Sequence, residues 1–152
     1  MRHPEAGDTL LIHELYARYS WALDTGNTDD YVRLFHPSAR VYETTAAGLN
    51  EATGHDAIRA FVLRFHGNPD FPGRQHRISQ IVIDPDPKGR PDHWSVRSYV
   101  LTTETAIGGP PALYWTGCAF DTVVKVDGEW LIVEREIRPW AGEQLERFAA
   151  GG

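Results

Sequence analysis

Two side chains that can transfer protons, Asp24 and His76, lie at positions that call for a specific partner. Residues 9–26 predict a helix, and Asp24 falls in its last turn, where the negative end of the helix dipole disfavours a carboxylate. His76 alternates with Ile78 and Val82, which predicts an inward-facing imidazole, and a buried polar ring needs a hydrogen-bond partner. A carboxylate and an imidazole are the groups that general acid–base catalysis uses most often. The alternative without function is a solvated helix-end acid and a strand histidine that faces water.

Aromatic residues on apolar faces are the next candidates for a site. Tyr16 and Tyr19 lie on the apolar stripe of the helix predicted over 9–26, and Phe61 lies on the apolar face of a helix that opens at Gly54. Phe, Trp and Tyr make up 11% of the chain, enough to line a cavity as well as to fill a core. We expect the buried Tyr19 hydroxyl either to polarise a substrate oxygen or to make a purely structural hydrogen bond.

Composition and charge exclude several classes of partner. The formal net charge is -6, so the sequence predicts no binding to nucleic acid or to an anionic membrane surface. No apolar run approaches the ~20 residues that span a bilayer, and we expect a soluble, cytoplasmic protein. Cys118 is the only cysteine, which excludes an internal disulfide.

Metal and cofactor motifs are not present in the sequence. The chain has seven His residues, but none has the H-x-x-x-H or HExxH spacing of a zinc site. No G-x-G-x-x-G follows a predicted strand, and no G-x-S-x-G occurs. The sequence therefore predicts chemistry without a metal or a cofactor.

Hydrophobic periodicity and turn residues predict the elements that position these residues. They are helices over 9–26, 29–35 and from Gly54 to Gly67, and strands over 39–44, 75–84, 93–105, 113–126 and 129–138, with a loop over 46–53. Short turns, Asp127-Gly128 among them, join the later strands, so we expect an α+β fold with an antiparallel sheet and helices on one face. We expect one domain over 1–142 and a disordered tail over 143–152.

The order of five segments carries a family resemblance. They are LYARYSWALDTGN, the short helix DDYVRLF, TGHDAIRAF, the strand QHRISQIVID and the closing hairpin DGEWLIVEREI. With these segments the chain resembles the SnoaL-like family of the nuclear-transport-factor-2-like superfamily. The resemblance implies a strongly curved antiparallel or mixed sheet, which forms a cone-shaped barrel under three N-terminal helices and encloses a small-molecule pocket.

Within that superfamily the pattern is similar to the scytalone and bile-acid dehydratases, which implies roles for particular residues. Asp24 would orient His76 as the base, and Tyr19 and Tyr42 would donate hydrogen bonds to the reacting oxygen. Substrate-binding residues would be Arg138, Tyr16 and Phe61. Arg135 and Arg138 are out of phase on one predicted strand, so only one of them faces the pocket, and the sequence leaves the choice open.

The resemblance implies a cofactor-independent lyase or isomerase that acts on a small, largely apolar hydroxylated cyclic or aromatic substrate. The alternative is a module of the same family that binds a ligand or a partner without turnover. Helices cover only one sheet face in this arrangement, so we also expect a homodimer or homotrimer, with Trp94, Trp115 and Trp130 as candidates to cover the other face.

Overall fold

The computed structural model describes residues 3–45 and 48–141, which form three α-helices, a short 3-10 helix (Phe71–Gly73) and six strands. The helices are α1 (Ala6–Asp24), α2 (Thr28–Arg33) and α3 (Gly54–His66). The strands are β1 (Phe35–Thr45), β2 (Gly48–Thr53), β3 (Arg74–Pro85), β4 (His93–Thr105), β5 (Pro111–Val126) and β6 (Glu129–Pro139). The tail predicted over 143–152 lies outside the described residues. Within the described ranges, no helix has both the length and the apolarity needed to cross a membrane.

The first helix buries the stripe that its periodicity predicts. Ile12, Leu15 and Tyr19 are at most 4% exposed, because residues three and four apart share one face of a helix. The helix begins three residues earlier than predicted and ends at Asp24. Gly26 follows with a φ of 74°, the left-handed conformation that commonly stops a helix.

The six strands form one curved sheet in the order β2-β1-β6-β5-β4-β3. All neighbouring strands are antiparallel except β1 and β6, which are parallel. The prediction of a loop over 46–53 is wrong, because β2 lies in this range. It is polar and has low strand propensity, but hydrogen bonds to β1 hold it as an edge strand. The α1 helix contacts β3 and β6, and α3 contacts β1, so the helices cover the inner face.

A bulge in β3 changes which residues face inward. The β3–β4 register shifts between Ser79 and Val82, and Gln80 has a φ of 47°. His76 and Ile78 lie on the inner face, but beyond the bulge Val82 is 39% exposed while Ile83 is 9% exposed. The predicted alternation through Val82 is therefore wrong, because an extra residue in a strand reverses the phase of everything after it.

The three tryptophans proposed to cover the outer face lie elsewhere. Trp94 and Trp130 are 8% and 6% exposed and belong to the core. Trp115 pairs with Thr102, which pairs with His76, and residues directly opposite in a sheet share a face. Trp115 is therefore on the inner face, so the prediction fails for all three.

Candidate active site

Asp24 and His76 form a pair that joins the end of α1 to β3. The Asp24 Oδ1 lies 2.5 Å from His76 Nδ1, and Asp24 Oδ2 accepts a 2.8 Å hydrogen bond from the His76 backbone N–H. Their side chains are 16% and 19% exposed, so solvent reaches the edge of the pair. Two hydrogen bonds to one carboxylate offset the unfavourable dipole at the helix end.

This geometry sets the role of each imidazole nitrogen. A carboxylate accepts the Nδ1 proton, so the neutral ring keeps its lone pair on Nε2. No described residue makes a hydrogen bond to Nε2. The ring of Phe71 stacks on the imidazole at 6.0 Å between centroids, and Phe71 is 3% exposed. The pair can therefore act as a base beside an apolar wall.

A second histidine, His66, holds the end of α1 in place. Its Nε2 lies 2.8 Å from the Leu23 carbonyl oxygen, and its Nδ1 lies 2.9 Å from the Thr28 hydroxyl oxygen. A carbonyl can only accept, so Nε2 carries the proton and Nδ1 accepts from Thr28. Leu23 precedes Asp24, so His66 fixes the backbone that presents the carboxylate. The sequence places His66 only at a helix edge and gives no sign of this function.

The register of β6 decides between the two candidate arginines. Arg135 pairs with Asp121 of β5 on the inner face, and it is 1% exposed. Arg138 pairs with Cys118 on the outer face, contacts Glu136 at 2.8 Å and lies over the Phe120 ring. The prediction that Arg138 lines the pocket is wrong, because strand phase turns it away from the interior.

Arg135 forms a buried ion pair and stacks on a tyrosine. Its Nη1 donates to Asp121 Oδ2 at 2.9 Å, and its guanidinium lies 4.2 Å from the centre of the Tyr19 ring. Burial opposes the charge of Arg135, but Asp121 and nearby tyrosine hydroxyls raise the pKa of the guanidinium above its usual value. Burial raises the pKa of Asp121, and Arg135 offsets part of this increase.

Buried polar atoms around the ion pair are left without hydrogen bonds among the described residues. They are Tyr16 Oη, Ser98 Oγ, Asp121 Oδ1 and Arg135 Nε. Burial, reinforced by Asp121, raises the pKa of Tyr16 well above its usual value, so the hydroxyl keeps its proton. Tyr16 lies near Asp121 without reaching hydrogen-bond geometry. The centre of the interior is thus polar, which periodicity alone does not indicate.

Tyr19 is connected to a tyrosine that the sequence does not single out. The Tyr31 hydroxyl donates to the Tyr19 hydroxyl at 3.2 Å, and the two rings are 5.0 Å apart. Tyr31 is 1% exposed, and burial, with Tyr19 adding to it, raises its pKa well above the usual value. Tyr19 therefore keeps one proton of its own to donate further.

The first strand presents Glu43, and not Tyr42, to the interior. Tyr42 pairs with Glu136 on the outer face and lies under the Arg40 guanidinium at 4.9 Å. The prediction that Tyr42 donates to a pocket oxygen is therefore wrong. Glu43 is half-buried on the inner face, and burial raises its pKa, although Arg64 and His76 partly oppose the increase. Alternation in a run of four residues cannot fix this phase.

The other predicted binding residues lie in the core. Tyr16 and Phe61 are 1% and 4% exposed, and the Phe61 ring packs edge-on against Phe65 at 5.1 Å. Their contact with a substrate stays a prediction. No group of three or more metal-ligating side chains occurs within residues 3–45 and 48–141.

An open groove on the outside of α1 is separate from the acid–base pair. Its volume is about 700 Å³, and its lining includes Leu11, Arg18 and Trp21 but neither Asp24 nor His76. Glu14 and Arg18, which line it, form an ion pair with each other. The pair of Asp24 and His76 therefore does not belong to this groove.

Solved structures similar to this chain share its architecture. A proposed scytalone dehydratase from Novosphingobium aromaticivorans is 31% identical with a TM-score of 0.72, covering 87% of this chain and 83% of that chain. A nuclear-transport-factor-2-like protein with a cystatin-like fold from the same organism is 20% identical with a TM-score of 0.75, covering 93% and 88%. A protein of unknown function with a cystatin-like fold from Nostoc punctiforme is 23% identical with a TM-score of 0.74, covering 90% and 93%.

Comparison with curated proteins gives no significant match. The family model described as the SnoaL-like domain matches residues 4–136. That range contains the helices, the strands β1 to β5, most of β6 and the pair Asp24 and His76. The chain therefore belongs to the SnoaL-like domain family, with the curved α+β fold of its nuclear-transport-factor-2-like relatives.

Proposed function

We propose that this chain is a cofactor-independent lyase or isomerase of the dehydratase type. Its substrate is a small, largely apolar hydroxylated ring compound that enters beside Asp24 and His76. The observation that supports this proposal is the carboxylate that accepts both the ring and the backbone N–H of one partly exposed histidine. The 31% identity to a proposed scytalone dehydratase favours the same reaction class.

His76 acts as the base in this proposal. Nε2 removes a proton from a carbon next to a carbonyl or an activated ring, and Asp24 stabilises the imidazolium that forms. The electron pair of the broken C–H bond then either expels a hydroxyl group or shifts a double bond. A positioned base and its orienting carboxylate contribute about 10²–10⁴-fold to such a rate.

Tyr19 stabilises the oxygen that gains negative charge. Its hydroxyl accepts from Tyr31, so its own proton is available to a substrate oxygen. The Arg135 guanidinium over its ring adds positive potential at the same place. Hydrogen-bond donors that are fixed before the reaction stabilise a developing oxyanion without reorganisation.

The first test is incubation with a panel of hydroxylated steroids and polycyclic phenolic ketones, followed by mass spectrometry for loss of water and chromatography for isomers. His76→Gln should lower product formation about 10²–10⁴-fold without unfolding the protein. Asp24→Asn should also slow it, because an amide oxygen replaces only one of the two acceptors. His13→Gln, on the exposed side of α1, is the matched control.

Two outcomes contradict the proposal. Product formation that is unchanged in His76→Gln rules out this base. Saturable binding of a panel member without any conversion over long incubation identifies the chain as a binding module without turnover.

A further inference from the structure

Glu43 is a carboxylic side chain on the inner face that none of the steps above uses. It pairs with Asn50 of β2 and Ile137 of β6, and it alternates with Val41, which is fully buried. Ile137 in turn pairs with Ala119, a core residue of β5 that is 0% exposed. The pairing through Ile137 to Ala119 and the alternation with Val41 therefore both place Glu43 on the inner face.

The charges around Glu43 come from three other elements. Arg64 of α3 and His76 of β3 act electrostatically on its carboxyl, and its own charge acts on the Tyr31 hydroxyl of α2. Glu43 of β1 and His76 of β3, strands in opposite halves of the sheet order, therefore face the same interior, and each charge acts on the other. Asp24 is bound to His76 next to this interior, and the ion pair of Arg135 and Asp121 lies one inward position along from Glu43, where Arg135 pairs with Val41.

Burial is the largest influence on Glu43, and it raises the pKa of the carboxyl. A carboxyl whose pKa is raised keeps its proton to higher pH than a free carboxyl, and a proton donor that faces the same interior as a base lets one group give a proton while the other takes one. Elimination of water requires such a donor, because hydroxide is a poor leaving group.

We infer that Glu43 is the general acid that protonates the departing hydroxyl group while His76 removes the carbon-bound proton. This inference rests on the proposed function. The C–H bond breaks as Nε2 takes the proton, and its electron pair forms the C=C bond. The C–O bond breaks as the Glu43 proton joins the oxygen, which leaves as water. Imidazolium and carboxylate remain, and a proton returns from one to the other through solvent.

The inference predicts a dependence on the leaving group. The probes are 4-hydroxy-4-phenylbutan-2-one and its acetate ester, which eliminate water and acetate to give the same ultraviolet-absorbing enone. Acetate leaves without a proton donor. Glu43→Gln should therefore slow elimination of water about 10²–10⁴-fold and leave elimination of acetate within threefold, about the spread of context effects. Glu136→Gln, the same change on the outer face, should alter neither rate.

The dependence on pH gives a second readout. Glu43 must be protonated to act, so water elimination should fall as pH rises through its titration, and this alkaline limb should disappear in Glu43→Gln. Carbon-13 NMR of the Glu43 carboxyl should titrate above the ordinary value of 4.5. His76→Gln should raise this midpoint further, because His76 no longer opposes the effect of burial.

The outcomes separate this inference from the proposed function. Glu43 is not the acid if the wild type eliminates acetate but not water. The same conclusion follows if Glu43→Gln slows both reactions equally or slows neither. In each of these cases His76 remains the base. If the wild type eliminates neither, the proposed function fails, and the role of Glu43 fails with it.

Discussion

The ion pair between Arg135 and Asp121 is the most buried charged contact described in the chain, with side-chain exposures of 1% and 0%. Removing water from two charges costs several kcal/mol for each, and their attraction must offset this cost. The pair also holds Tyr19 in place, because Arg135 stacks on the Tyr19 ring. Loss of one partner leaves the other charge buried without compensation.

Arg135→Met should therefore destabilise the fold by about 3–5 kcal/mol, as measured by urea denaturation at neutral pH. Burial raises the pKa of Asp121 and Arg135 offsets part of this increase, so the loss of Arg135 should raise the pKa of Asp121 further. The loss of stability in Arg135→Met should therefore be smallest at a pH below the ordinary Asp pKa, where Asp121 is protonated with or without Arg135. It should grow as pH rises through the raised pKa of Asp121, where an unpaired carboxylate would be buried. The double variant Arg135→Met with Asp121→Leu should recover part of the loss. Arg138→Met is the matched control, and an equal loss in that variant would contradict the explanation.

At the scale of elements, one imidazole connects three helices near the Asp24 carboxylate. His66 ends α3, and its two ring nitrogens bind the last turn of α1 and the first residue of α2. A helix end supplies backbone carbonyls that have no partner within the helix, and the Leu23 carbonyl accepts a long, 3.4 Å hydrogen bond from the Gly26 N–H beyond the helix. The shorter bond from His66 adds to this one and places Asp24 at the same time.

His66→Phe keeps the ring but loses both hydrogen bonds, so it should destabilise the fold by about 1–3 kcal/mol. Nitrogen-15 NMR of the His76 ring should also show a less uniform tautomer, because Asp24 is no longer held in one place. Thr28→Val removes only the hydrogen bond to His66 Nδ1, so it should lower the free energy of unfolding by less than His66→Phe does. Stability and tautomer that match the wild type would mean that α1 ends correctly without His66.

At the scale of the whole molecule, the outer face of the sheet exposes apolar side chains. Tyr99, Leu101 and Phe120 are 50%, 37% and 38% exposed, and the Trp140 ring packs against Tyr99 at 5.2 Å. Exposed apolar side chains that share one face favour association with another surface. The helices cover the inner face and leave this outer face open to a second copy.

We expect a homodimer or homotrimer in solution, measured by size-exclusion chromatography with light scattering at micromolar concentration. Leu101→Lys should dissociate it, because a charge in the buried centre of an interface is costly. Trp21→Lys is the control on the outside of α1, where Trp21 is 73% exposed. A monomeric wild type contradicts the prediction, and dissociation by Trp21→Lys alone places the interface on α1 instead.

The amino-acid sequence determined every feature that depends on neighbours along the chain. The apolar stripe of α1 and its stop at Gly26 follow from spacing and from one left-handed residue. The hairpin at Asp127-Gly128 has positive φ at both residues, as its dipeptide predicts. The pairing of Asp24 with His76 was also predicted from sequence, by an acid at an unfavourable helix end, by an imidazole that alternates with Ile78, and by the family resemblance that pointed to both residues.

Tertiary structure alone decided which side chains of the strands face the interior. Glu43 replaced Tyr42 and Arg135 replaced Arg138, although each pair lies on one strand. Side chains alternate with a period of two, so a shift of one residue reverses every assignment on a strand. That shift is set by bulges and by hydrogen bonds to strands distant in sequence, such as β6 against β1. A local pattern contains no information about these partners, so the sequence indicated the acid–base pair but not the residues that surround it.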